Sequence, residues 1–331
     1  MIHESTQNTS FLKTREELKK IGIKNNDFFL RLDDDTLQNV DPYSEYLDTE
    51  TKLKIIKECT VNPWYFFREI VRIPGLHKYE RFELNRANLA SIYLFINNID
   101  HHICTPRYTR TVTSGLGTLL YSFILETSNT SFALMDINKS TGTELLCTMK
   151  ELSNHLPLYL KEDILFNETT TEHRNNQNRL HIIDTINSVN DAENFGRGST
   201  AEVIFFNNLE YYPHITDFLS AAEPMHQFIK AKSTLNGTKC CRISVSTPND
   251  EKSSSNLFKE IINNSLKWDD HLYDMTLCDL KALVEDTCKY NPIYIEYSAA
   301  DLRKDDRWLK DMCERLQYKH DIIAREIFLK R

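Results

Sequence analysis

From Asp100 to the carboxyl end, short apolar runs alternate with longer amphipathic ones. "HHIC", "SFALMD", "LHIID", "EVIFF", "CCRISVS" and "IYIEYS" are too short for helices and rich in β-branched or aromatic residues, so they predict strands. Helical patterns lie between and after them: "GTLLYSFILET", "STGTELLCTMKEL", "ITDFLSAAEPMHQFIKA", "NLFKEIINNSL", "DDRWLKDMCERL" and "KHDIIAREIFLKR". Pro224 is placed to bend the third of these. "DLRKDDRWLK" mixes both signs of charge and predicts an exposed helix face rather than a DNA-binding stripe. Strand–helix alternation with buried strands predicts an α/β fold, a mostly parallel sheet with helices on both faces. Ligands of such sheets bind beyond the carboxyl ends of the strands. Three loops sit at such ends, after Cys104, after Phe206 and after Ser246.

The chain before Asp100 reads differently. Residues 1–60 predict two or three helices with polar joints, such as "TREELKKIG" and "TKLKIIKEC", forming an N-terminal helical appendage to a domain at 61–331. "NPWYFFREIVRI" predicts a helix capped by Asn62, with Pro63 in its first turn. Trp64, Tyr65, Phe66 and Phe67 in it suit either a base pocket or core packing. "FELNRANLASIYLFINNID" predicts a further helix.

Composition narrows the class. The 331 residues allow one large or two modest domains, and 40% hydrophobic content suffices for a core. Eight Gly and nine Pro leave no room for a low-complexity linker. No apolar run reaches the ~18 residues that span a bilayer. The N-terminus lacks the apolar stretch of a signal peptide, so a soluble intracellular protein with no membrane partner is expected. A net charge of −8 argues against a whole-molecule grip on DNA and leaves a local basic face open. The eight Cys are scattered without zinc spacing and read as buried, reduced thiols. His101 and His102 read as strand residues rather than ligands.

The loop after Cys104, "TPRYTRTVT", offers Arg107 and Arg110 as charges and Thr109, Thr111 and Thr113 as hydroxyls, alongside Tyr108 and Val112. A working phosphate loop needs Gly for close backbone approach, Lys for the outer phosphates and Ser/Thr for Mg²⁺. No Gly lies between Pro106 and Thr113, so local chemistry alone makes a poor cradle, although the helix that follows favours anions. The strand "EVIFF" ends in Asn207 and Asn208 rather than in acids. Amides bring no charge and cannot act as a base at neutral pH; Glu210 is the nearest carboxylate. Arg197 sits between two glycines upstream, where it suits a contact to a nucleotide or a neighbouring subunit, or a local salt bridge. The third loop, "SVSTPND", places Ser246, Thr247 and Pro248 in a tight turn.

In order, these segments resemble the ATPase domain of a phage terminase large subunit, the DNA-packaging motor, of large-phage type. The likeness runs from about Asn62 to Arg331. "FELNRANLASIYLFINNIDHHICTPRYTRT" resembles its helix, strand and Walker A loop; "NDAENFGRGSTAEVIFFNNLEYYPH" its glycine–arginine–glycine turn and Walker B strand; "RISVSTPND" its coupling motif. The resemblance implies a P-loop NTPase-like fold, ATP and Mg²⁺ as cofactors, and other terminase subunits, the portal or double-stranded DNA as partners. It further implies a phage-encoded protein of the host cytoplasm.

Departures from the family pattern fall on the chemistry. In the Walker A pattern Pro-Arg-Gln-x-Gly-Lys-Ser/Thr, Pro106 and Arg107 match, but Tyr108 replaces Gln, Arg110 Gly, Thr111 Lys and Val112 Ser/Thr. Asn207 and Asn208 replace the Walker B acids, while Glu210 matches an acid two places later. Arg197, Thr247 and Pro248 match, with Ser246 close. The 331 residues end where the resemblance places the family's nuclease, so a protein without that domain is expected. The expectation is a degenerate, non-hydrolysing homologue acting in viral DNA packaging. Two alternatives stay open: an active packaging ATPase with its nuclease on a separate chain, and a repurposed non-enzymatic binding or scaffold protein.

Overall fold

Phe205 and Phe206 are neighbours on one strand and both are buried, each in a different apolar cluster. Phe205 packs with Val203, Phe132 and Leu134; Phe206 packs with Ile204, Ala133 and Met135. Alternate side chains of a strand point to opposite faces, so this sheet is covered on both sides.

The computed structural model describes residues 2–75, 78–161, 164–183, 188, 190, 201–249, 259–289 and 291–330. Among them are ten strands: β1 Arg72–Pro74, β2 Tyr79–Arg81, β3 His101–Cys104, β4 Ser131–Met135, β5 Ile164–Phe166, β6 Thr170–His173, β7 Asn178–Ile182, β8 Val203–Asn207, β9 Cys241–Ser246 and β10 Ile293–Glu296. β1 and β2 form an antiparallel ribbon. The other eight form one sheet in the order β10-β3-β9-β8-β4-β7-β6-β5. β10 through β7 run parallel, and β6 and β5 add an antiparallel edge. The α/β fold expected from the alternating runs is present.

Register brings the candidate loops together. Cys104 lies beside Ser246, Asn207 beside Val245, and Met135 beside Phe206. The carboxyl ends of β3, β9, β8 and β4 therefore finish side by side. The helix Thr111–Tyr121 leaves the β3 loop and crosses β8 so closely that a Cβ on Gly115 would collide with the Phe205 ring. The glycine that follows the β3 loop serves helix–sheet contact.

Several elements depart from the sequence reading. "NPWYFFREIVRI" is helical over Pro63–Tyr65, widens over Phe66–Ile70 and leaves the helix at Val71, where ψ is 131°. Arg68 in that turn is fully buried, and its guanidinium donates to Glu69 at 3.0 Å and to the Phe29 carbonyl at 2.8 Å. Trp64, Tyr65, Phe66 and Phe67 are all buried in the main apolar cluster, which settles their choice as core packing. Pro224 lies within one continuous helix, Ile215–Asn236. The hairpin of β5 and β6 and the helix Leu277–Cys288 have no counterpart in the sequence reading.

Residues of the first sixty positions share the main cluster: Phe11, Leu18, Phe29, Leu30, Leu37 and Ile55 pack with Phe67, Leu89 and Leu116. All eight cysteines carry thiols; contrary to expectation, Cys147 and Cys278 are exposed and Cys313 is half-buried. Among the described residues no helix is long and apolar enough to cross a membrane.

Candidate functional site

A cleft of about 630 Å³ opens over the carboxyl ends of β3, β8 and β9. The β3 loop forms one wall, from Thr105 to Thr113. Tyr108 and Arg110 both take left-handed backbone conformations, with φ of +65° and +64°. This region disfavours residues with a Cβ. Arg110 stands where the resemblance places a glycine, so the loop makes its turn without the residue suited to it.

Inside the turn three threonines hold one another. Thr105 Oγ1 and Thr111 Oγ1 are 2.8 Å apart, Thr109 Oγ1 lies 3.2 Å and 3.1 Å from these two, and it donates to the Pro106 carbonyl at 2.6 Å. All three are buried. Thr111, at the position matched to the phosphate lysine, thus spends its hydroxyl inside the loop. Arg110 lines the cleft and pairs with Glu80 at 2.9 Å. Val112 and Thr113 follow Thr111 in the first turn of the helix, where the amides have no acceptor within the helix.

At the end of β8 both amides face an acid that the sequence reading passed over. Asn207 Nδ2 donates to Asp136 Oδ2 at 2.7 Å, and Asn208 Nδ2 to Asp136 Oδ1 at 2.9 Å. Asp136 follows β4, is buried, and also accepts from the Ile137 amide at 2.7 Å. Asn208 takes φ +55°, a conformation asparagine tolerates. Asp136 could have been suspected as the polar end of the apolar run "SFALMD"; only the pairing of β4 with β8 gives it partners.

Glu210 lies beneath the cleft rather than on its lining. It is fully buried, with Oε1 3.4 Å from His102 Nε2 and Oε2 accepting from the Asn249 amide at 3.2 Å. His102 Nδ1 lies 2.8 Å from Ser244 Oγ, and His101 on the opposite face meets Ser91 and the Ile99 carbonyl. Ser246 Oγ accepts from the Glu210 amide at 3.3 Å.

The third wall holds Ser246 and Thr247, with Tyr211 from the segment after β8. Tyr211 Oη lies 3.2 Å from Thr247 Oγ1 and 3.0 Å from the Pro248 carbonyl. Burial pushes its phenol above the ordinary range, so it remains a hydroxyl at neutral pH. Glu326, on the helix His320–Glu326, closes the cleft against Arg107, Tyr211 and Thr247. No spacing in the sequence pointed to Tyr211 or Glu326. Arg197 lies outside the described residues.

The donor set suits an anion better than a metal. Arg107, Arg110 and the first-turn amides can meet phosphate oxygens. A magnesium ion wants several oxygen donors, usually including carboxylate. Val112 offers none, the Thr111 hydroxyl is engaged in the loop, and the Asn207 and Asn208 amides are tied to Asp136. Among the described residues no group of three or more His, Cys, Asp or Glu could hold a metal ion.

No protein-family model and no curated protein matches the sequence. Solved structures do match. The large terminase of bacteriophage HK97 covers 80% of this chain and 54% of its own length, at 12% identity and a TM-score of 0.52. The ATPase domain of the Thermus phage P74-26 large terminase covers 75% of this chain and 94% of its own, at 10% identity and a TM-score of 0.48. The large terminase of a thermophilic bacteriophage, in complex with ADP, covers 75% and 53%, at 11% identity and a TM-score of 0.45. The chain thus spans about half the length of the HK97 protein and of this ADP-bound one. At such identities a likeness speaks for fold and leaves function to the site. The mostly parallel sheet with its covering helices is an α/β fold similar to that of the HK97 large terminase.

Proposed function

We propose that the chain is a terminase-type protein that binds a phosphate-bearing ligand, ATP by the resemblance, without hydrolysing it, and that serves viral DNA packaging as a non-catalytic homologue of the large subunit. The observation that carries this reading is the pairing of Asn207 and Asn208 with Asp136. Two neutral amides stand at the end of the strand where hydrolysis needs a metal-binding acid and a water-activating acid. The acid that is present holds those amides in place. Each lost element of a phosphoryl-transfer site removes several kcal/mol of transition-state stabilisation, and each ~1.4 kcal/mol is tenfold in rate. Loss at both the β3 loop and the β8 end leaves no useful turnover.

The arginines and the helix N-terminus support binding. Other terminase subunits, the portal and double-stranded DNA are the partners this reading implies. Calorimetry with ATP, with and without magnesium, alongside phosphate release with and without double-stranded DNA, tests it. Binding without turnover is expected. Turnover stimulated by DNA would make the chain an active packaging ATPase and overturn the reading, whereas no binding would leave a scaffold.

A further inference from the structure

We propose that Arg107, Tyr211 and Thr247 form an anion subsite which the chain's own Glu326 carboxylate fills, and which a phosphate group takes when Glu326 withdraws. The proposal rests on the phosphate-cleft reading above and names the regulation of that same cleft.

Glu326 is only 5% exposed, unusual for a glutamate on a short surface helix. Its Oε2 accepts from Thr247 Oγ1 at 3.2 Å and lies 3.6 Å from Arg107 Nη1. Its Oε1 lies 3.3 Å from Tyr211 Oη and 3.4 Å from Arg325 Nε. The main chain pins the same spot, because the Arg107 amide donates to the Glu326 carbonyl at 2.8 Å. The three donors come from three different strand ends, those of β3, β8 and β9, and they converge on this one carboxylate.

The contacts are long. Charge-assisted hydrogen bonds usually close to about 2.7–2.9 Å, and those around Glu326 span 3.2 to 3.6 Å. Tyr211 also divides its single proton between Glu326 and the nearer Pro248 carbonyl. Several long contacts therefore hold Glu326, and no single closed charge-assisted pair does. A phosphate has more oxygens, more charge and a larger radius than a carboxylate, and uses the same hydroxyl and guanidinium donors. Both anions cannot occupy the subsite, so Glu326 lowers the apparent affinity for phosphate by the fraction of time it is seated. Displacing it would remove the side-chain ties of the helix His320–Glu326 to Arg107, Tyr211 and Thr247 and leave the Arg107 amide as the remaining tie, coupling occupancy of the cleft to that helix.

The test is calorimetric titration of inorganic triphosphate into the full chain and into Glu326→Gln, which keeps the side-chain shape and removes the charge. Binding at least tenfold tighter to the variant is expected. A smaller gain, with measurable binding by both proteins, overturns the tethered-anion subsite and leaves the phosphate cleft standing. Binding by neither overturns both. Should Glu326→Gln not fold by circular dichroism, amide hydrogen exchange of residues 320–326 in the unaltered chain decides. Faster exchange under saturating triphosphate supports the proposal, and unchanged exchange sinks it.

Discussion

Asn207 and Asp136 meet across the ends of β8 and β4, with the amide nitrogen 2.7 Å from the carboxylate oxygen. The pair is directional: one side donates and the other carries the charge. Asn207→Asp therefore sets two carboxylates against each other in a buried place and should cost about 3 kcal/mol at pH 7. Adding Asp136→Asn recreates the pair with its charge reversed in position and should recover most of that loss. Urea unfolding of both single variants and the double variant gives the coupling energy directly. Additive losses would mean that the two side chains do not interact as described. An acid cannot simply be returned to β8 while Asp136 stays in place.

Arg110 occupies the left-handed region with a long side chain. A side chain with a Cβ is disfavoured there by about 1–2 kcal/mol. Arg110→Gly should therefore leave the melting temperature unchanged or raise it, even though the surface pair with Glu80 is lost, because such pairs contribute under about 1 kcal/mol. Arg110→Val should lower it clearly, since β-branched residues suit this region worst. A Val variant as stable as the Gly variant would contradict the loop geometry.

Gly115 faces the buried Phe205 ring, which would lie 2.3 Å from an added Cβ. Gly115→Ala should cost about 1–3 kcal/mol despite the better helix propensity of alanine. Gly117, whose added Cβ would meet only Phe67 at 3.7 Å, provides the control: Gly117→Ala should be neutral or stabilising. Thermal melts of the two variants, read side by side, check the close helix–strand approach.

His101 is fully buried, and burial lowers its imidazole to about 4, against the partial opposing effect of its bond to the Ile99 carbonyl. In the unfolded chain it takes up a proton near its ordinary value of about 6.5. Between those two values the unfolded state binds more protons, so the contribution of His101 lowers stability as pH drops from about 6.5 to 4 and is constant below. The loss is on the order of 3 kcal/mol. Urea midpoints measured across that range should fall more steeply in the unaltered protein than in His101→Gln, since burial also lowers His155 and His181.

The elements legible in the sequence were the buried ones. β3, β8 and β9 are short apolar runs with polar residues at their carboxyl ends, and that alone placed three loops around one cleft. β5 and β6 escaped notice because they form an antiparallel hairpin at the sheet edge, where Thr170–His173 carries only alternate burial and much polarity. The left-handed turns at Tyr108 and Arg110 escaped because the missing glycine argued against them, and the packed threonines hold the loop in that shape anyway. Asp136 was visible as a residue but not as a partner, since only strand order sets it beside Asn207. Glu326 stands 115 residues from Tyr211, and no local pattern reports a contact of that range.

Glu210 ties three strand ends into one block. Its carboxylate reaches His102 on β3 and the Asn249 amide beyond β9, while its own backbone meets Ser246 Oγ and the Asn249 side chain. Buried bonds of this kind resist separate movement of the segments they join. The floor beneath the threonine loop is therefore stiff, and an arriving guest cannot make space by spreading the strands. Accommodation falls to the roof, the segment bearing Glu326, so this chain would register a guest as a lifted roof over an unmoved floor.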